Sequence, residues 1–182
     1  MSRITALDPA QASGKTAELF SAVKAKLGVV PNLMRTLGQS PVALEAYLGF
    51  SGTLAKGVLS AKVREQLALA IGEANTCDYC LAAHSLLGKG AGLTAEAILE
   101  ARLNRAEDPK TQALLKFAVT VVEARGLVAD EALSAVRAAG ASDAEIIEVI
   151  AHVALNTLTN YTNHIAQTAI DFPKAAALPA AV

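Results

Sequence analysis

Residues 61–84 decide the fold: Ala61-Lys62-Val63-Arg64-Glu65-Gln66-Leu67-Ala68-Leu69-Ala70-Ile71-Gly72-Glu73-Ala74-Asn75-Thr76-Cys77-Asp78-Tyr79-Cys80-Leu81-Ala82-Ala83-His84. Ser60 is a good N-cap, so the spacing predicts a helix from Ala61 to about Asn75. Val63, Leu67, Ala70, Ile71 and Ala74 form one apolar stripe on it. The opposite side, Ala68, Leu69 and Gly72, is also apolar or small, and Glu65 lies among them. A second helix is expected from about Asp78 to Lys89, ending at Gly90. With the helical signals of the rest of the chain, the fold reading is all-α, with helices packed in layers around one core.

The rest of the chain agrees. Alternating β-branched runs are scarce, and aromatic residues are only 4%. Gly14 to Leu27 is periodic and stops at Gly28. Pro31 to Gly38 reads as a short helix and Val42 to about Ala55 as another. Thr94 can cap a helix to Leu103. Asp108-Pro109 is an acidic cap followed by proline at the first helical position, opening a helix that ends at Gly126. Asp130 starts one that stops at Gly140. Ser142-Asp143-Ala144-Glu145 has the capping-box pattern and opens the longest helix, to about Ala169. The expected organisation is a single all-α domain over residues 1–170 and an Ala/Pro-rich tail over 171–182, either loose or laid over a neighbouring subunit.

Composition narrows the function. The 182 residues carry a formal net charge of −1, without the basic excess of a nucleic-acid binder. No apolar run reaches the roughly 18 residues of a membrane span. The first residues lack the apolar core of a secretory signal, so the expected address is the cytosol. Hydrophobic residues make up 53% and charged residues 18%, more apolar surface than one small core needs. A homo-oligomer is expected to bury the surplus.

The two cysteines are Cys77 and Cys80. A disulfide between them would close a tiny loop and add little stability, so a structural bridge is a poor explanation. Two inert buried thiols are one alternative. The other is chemistry. Cys80 and His84 are four apart on one helix face, where an imidazole can take the thiol proton or stabilise the thiolate. Cys77 sits at the helix start, where free amides and the helix dipole favour an anion. One sulfur oxidised to sulfenic acid could then condense with the other to a disulfide. Two carboxylates are candidates for the proton relay. Glu73 lies at a wet helix end. Glu65 is either a surface residue beside Arg64 or a desolvated acid whose raised pKa suits proton transfer.

The stretch Val63 to Ala70, followed by Cys77-Asp78-Tyr79-Cys80 and His84, resembles the core motif of the alkylhydroperoxidase D and carboxymuconolactone decarboxylase superfamily over roughly residues 60–90. The resemblance implies an all-α fold assembled as trimers or hexamers. It implies a peroxidase in which Cys80 attacks the peroxide, Cys77 resolves it, and Glu65 with His84 relays protons. No metal, flavin or other cofactor is implied, and a lipoyl-bearing or thioredoxin-like protein would supply electrons. Dipole reasoning alone favours Cys77 as the attacker, whereas the histidine spacing favours Cys80. Some members carry a histidine beside the second cysteine. Tyr79 stands there in this chain, implying a shorter or water-borne relay.

Three other readings stay open, one of them a redox-responsive interaction or stress protein with weak peroxidase activity. Decarboxylation of a muconolactone-type acid is the superfamily's second chemistry and does not depend on the cysteine pair. A zinc module could use Cys77, Cys80, His84 and His152. Finally, His152, Asn156, Thr159, Asn160 and Asn163 share a stripe of the last helix, with His164 at its edge. The stripe is either a hydrogen-bonded network between helices or subunits, or it lets His152 or Asn160 line the approach to the cysteines.

Overall fold

A computed structural model describes residues 2–178. Nine helices run through them: α1 (Gly14–Leu27), α2 (Asn32–Leu37), α3 (Pro41–Leu54), α4 (Ala61–Ala74), α5 (Asp78–Gly90), α6 (Ala95–Arg102), α7 (Pro109–Glu123), α8 (Asp130–Ala138) and α9 (Asp143–Ala166). No strand occurs among the described residues.

The caps act where the sequence places them. Ser60, Thr94 and Asp108 accept hydrogen bonds from the amides of Val63, Ala97 and Thr111, three residues on. Ser142 and Glu145 make the full capping box of α9. That helix ends at Ala166, three residues earlier than the expected Ala169, because Gln167 turns into the left-handed region at φ 49°. Glutamine is not a residue whose presence announces such a turn.

Helix α4 is the centre. Every residue from Gln66 to Gly72 is buried, as a helix apolar all round requires. It packs against α5, α6, α7 and α9. One core forms there, from Leu67, Leu69 and Ile71 of α4, Leu114 and Leu115 of α7, and Val149 of α9. A second core gathers Phe20, Val23, Leu33, Met34, Leu37 and Leu44 from α1, α2 and α3 around Cys77, Tyr79 and Cys80. The dithiol therefore lies inside an apolar cluster. Burial in such a setting disfavours charge unless donors face the sulfurs.

The described part of the C-terminal tail is laid over its own chain, which neither sequence-based expectation anticipated. Asp171 accepts from the Asn32 amide at 2.8 Å, and Phe172 stands edge-on to the Tyr79 ring at 5.5 Å. The Ala176 carbonyl accepts from Arg102, and Ala175 packs on the first core. The remaining tail residues, 179–182, lie outside the described ones.

Candidate active site

The turn between α4 and α5 builds the site. Thr76 adopts a positive φ of 53°, which reverses the chain after α4 and delivers Cys77 to the N-cap of α5. Cys77 Sγ accepts from the Cys80 amide at 3.4 Å, so the sulfur itself caps the helix. Both thiols are free and buried, at 1% and 3% exposure.

Their ionisation is shared. The Cys80 side chain, hydrogen-bonded to Cys77, brings Cys77 down to about 6 against the opposing effect of burial. The Cys80 amide, the Asn163 amide and the charge of His164 add to the lowering. Cys80 is pushed up, first because it gives its hydrogen bond to Cys77, then by burial and by the anion beside it. The pair thus loses one proton readily and keeps the other.

Glu65 and His84 meet as their positions suggested. The Glu65 carboxylate lies 2.8 Å from His84 Nδ1, and each side chain is 22% exposed. Burial alone would lower the histidine, but the Glu65 charge and hydrogen bond outweigh it, and the pKa is raised. Among the described residues no hydrogen bond joins His84 to either sulfur. The imidazole is engaged by the carboxylate instead, so it is not the direct thiol partner that the four-residue spacing suggested.

The sulfurs' side-chain partners come from α9. Asn160 Nδ2 donates to Cys80 Sγ at 2.9 Å and Asn163 Nδ2 donates to it at 3.3 Å. Of the sequence's two readings of the polar stripe, Asn160 thus takes the one that brings it to the cysteines. His152 is buried near the Glu65–His84 end, and its Nε2 has no partner among the described residues. Burial, then the charge of Arg64, lowers its pKa and keeps it neutral.

Tyr47 of α3 is a residue that sequence reasoning missed. It packs against the cysteine cluster, and burial followed by the fields of Cys80 and Glu65 raises its hydroxyl to about 12. Nothing in the local sequence marks it out.

Two other neighbours prove structural. Tyr79 turns away from the relay: its hydroxyl donates to Asp171 at 2.8 Å and accepts from the Leu33 amide at 3.0 Å. Glu73, expected to be wet, is paired with the buried Arg102 at 2.7 Å. No group of three or more His, Cys, Asp or Glu among the described residues is arranged to hold a metal ion. The four ligands of the zinc reading are not gathered, because His84 is turned to Glu65.

A cavity of about 330 Å³ opens beside Cys77, lined by Thr76, Asp78, Asn163, His164 and Gln167 among others. A larger groove of about 1000 Å³ lies between α4, α6 and α7 and includes none of Glu65, Cys77, Cys80 or His84.

Comparison with known proteins matches residues 41–124 to the carboxymuconolactone decarboxylase family, a span that contains all four of those residues. A peroxidase-related alkylhydroperoxidase AhpD core protein from Ralstonia eutropha JMP134 superposes with a TM-score of 0.83 at 25% identity, covering 93% of this chain and 92% of that one. The chain has the alkylhydroperoxidase D-like fold of the carboxymuconolactone decarboxylase superfamily. A peroxidase-related protein from Silicibacter sp. TM1040 shares the AhpD-like fold, with a TM-score of 0.79 at 22% identity over 92% of each chain. So does a variant of the debrominase Bmp8 in complex with 2,3,4-tribromopyrrole, with a TM-score of 0.79 at 19% identity, over 94% of this chain and 92% of that one. No curated protein matches this sequence. The family and its peroxidase-related neighbours support a peroxidase-like role for this AhpD-like chain. Among the described residues no helix is long and apolar enough to cross a membrane.

Proposed function

We propose that the protein is a thiol-dependent peroxidase that reduces hydrogen peroxide or an organic hydroperoxide through Cys77 and Cys80. The observation that carries this reading is the buried pair of free thiols sharing one readily lost proton, with the Glu65–His84 pair on the same two helices. The resting thiolate is Cys77, so Cys80 passes its proton to Cys77 as it attacks the terminal peroxide oxygen. The O–O bond breaks, Cys80 becomes a sulfenic acid, and the departing alkoxide takes a proton to leave as an alcohol. The His84 imidazolium, held by Glu65, is the acid that supplies it. Cys77 then displaces hydroxide from the sulfenic sulfur, giving water and the Cys77–Cys80 disulfide. A dithiol reductant, lipoyl or thioredoxin-like, exchanges through Cys77 and restores both thiols. The cavity beside Cys77 supports that division of labour.

Free thiols persist in a reducing compartment, which favours the cytosol. A homo-trimer or homo-hexamer is supported by the outer face of α9, where Ile147, Ile150, Leu158, Tyr161 and Ile165 are exposed at helical spacing.

Thiol titration before and after one equivalent of peroxide tests the cycle. Loss of both thiols, restored by a dithiol, is expected, with turnover abolished in Cys80→Ser. Full peroxidase activity in Cys80→Ser, or thiols that do not respond to peroxide, would sink the reading.

A further inference from the structure

Asn160 is fully buried on α9, 80 residues away in sequence from the sulfur it touches. Its orientation is fixed from behind. Asn160 Oδ1 accepts from Asn75 Nδ2 at 2.8 Å, so its own Nδ2 faces Cys80 Sγ at 2.9 Å. Asn75 is itself anchored: it is the C-cap of α4, and its carbonyl lies 2.8 Å from His164 Nε2. Asn163 adds a second amide to Cys80 at 3.3 Å and a longer one to Cys77 at 3.9 Å.

This arrangement discriminates between redox states. Amide N–H groups bind an anionic sulfur strongly and a disulfide sulfur weakly, since charge-assisted hydrogen bonds are about twice as strong as neutral ones. Reducing the disulfide takes two electrons and, near neutrality, one proton, and leaves one thiol and one thiolate. Donors already aimed at the sulfur favour that product. A couple whose reduced form is stabilised is the more oxidising one.

We propose that Asn160, oriented by Asn75 and assisted by Asn163, is a positioning residue that, by donating to Cys80 Sγ, stabilises the negative charge shared by the reduced Cys77–Cys80 pair and so makes the Cys77–Cys80 disulfide easier to reduce. The other ionisable groups around the pair are His84 and Tyr79 of α5, His164 of α9, Tyr47 of α3 and Glu65 of α4. Around the pair, α1 and α2 contribute the apolar Phe20, Val23, Leu33, Met34 and Leu37. Substitution at Asn160 removes none of these groups.

The test equilibrates the full chain with glutathione buffers, in which two glutathione thiols reduce the protein disulfide and leave as glutathione disulfide. Thiolate absorbance against pH is read on the same samples. In Asn160→Ala the equilibrium constant for reduction is expected to fall about tenfold, with a higher thiolate midpoint. Asn75→Ala, at a half-buried position, should move both in the same direction by less, and should add nothing to Asn160→Ala. Wild-type values for both quantities in folded Asn160→Ala overturn the proposal. Wild-type values in Asn75→Ala do so if the first variant does not fold. Neither measurement uses peroxide, so the outcome is independent of the peroxidase reading.

Discussion

The Glu65 carboxylate is bonded to His84 Nδ1 at 2.8 Å across the α4–α5 interface, and this contact, rather than a direct bond to sulfur, sets the charge of the imidazole. The carboxylate holds the proton on a histidine that burial alone would strip. Glu65→Gln removes the charge and keeps the shape. The His84 titration, followed by NMR, is expected above the ordinary histidine value in the wild type and to fall in Glu65→Gln. An unmoved midpoint would show that the carboxylate does not hold the proton. In peroxide turnover, loss of either partner should cost about 10²- to 10⁴-fold, the usual worth of a positioned acid.

The lowered pKa of Cys77 gives a pH profile with a definite sign. Thiolate is the reactive form, so alkylation by iodoacetamide should rise with pH through a midpoint of about 6 and level off near neutrality. An ordinary buried thiol would still be unreactive there. A midpoint above the usual cysteine range would mean that the donors around the pair do not offset its burial.

Tyr79 lies beside the second cysteine, yet its hydroxyl is committed to Asp171 and the Leu33 amide. Tyr79→Phe leaves that buried amide without an acceptor, at a cost of about 1–3 kcal/mol. Urea denaturation should show the loss, while the midpoint of thiol alkylation stays where it was. A large change in that midpoint would assign Tyr79 to the chemistry after all.

The exposed stripe on α9 predicts self-association. Sedimentation should give a mass above the 18.7 kDa of one chain. Leu158→Glu, at a residue 46% exposed, should lower that mass without unfolding the protein. A wild-type monomer at micromolar concentration would rule the assembly out.

Most of the fold was legible because helix ends announce themselves locally. Ser60, Asp108-Pro109 and Ser142 with Glu145 are signals contained within four residues. The end of α9 was not legible, since a glutamine entering the left-handed region carries no such signal. The site divides in the same way. Cys77, Cys80, His84 and Glu65 fall within 20 residues on two consecutive helices, and the Glu65–His84 contact and the adjacency of the two sulfurs follow from that spacing, though a contact between the two pairs does not. The amides of Asn160 and Asn163 reach the sulfurs only through the docking of α9 on α4 and α5. Periodicity put them on one stripe but could not say what the stripe faced. Tyr47 likewise arrives through the packing of α3, and Glu73 is claimed by an arginine 29 residues away.

Asp171 braces Tyr79, which lies between the two cysteines in the sequence, and in the same grip fastens the first turn of α2. The helix that carries positions 77 and 80 therefore draws part of its stability from a carboxylate some ninety residues downstream, outside the segment matched to the family. Inheriting the motif without that brace would carry over the reagents but not the anchor that holds their helix to α2, so a graft of residues 60–90 alone should be poorly stable.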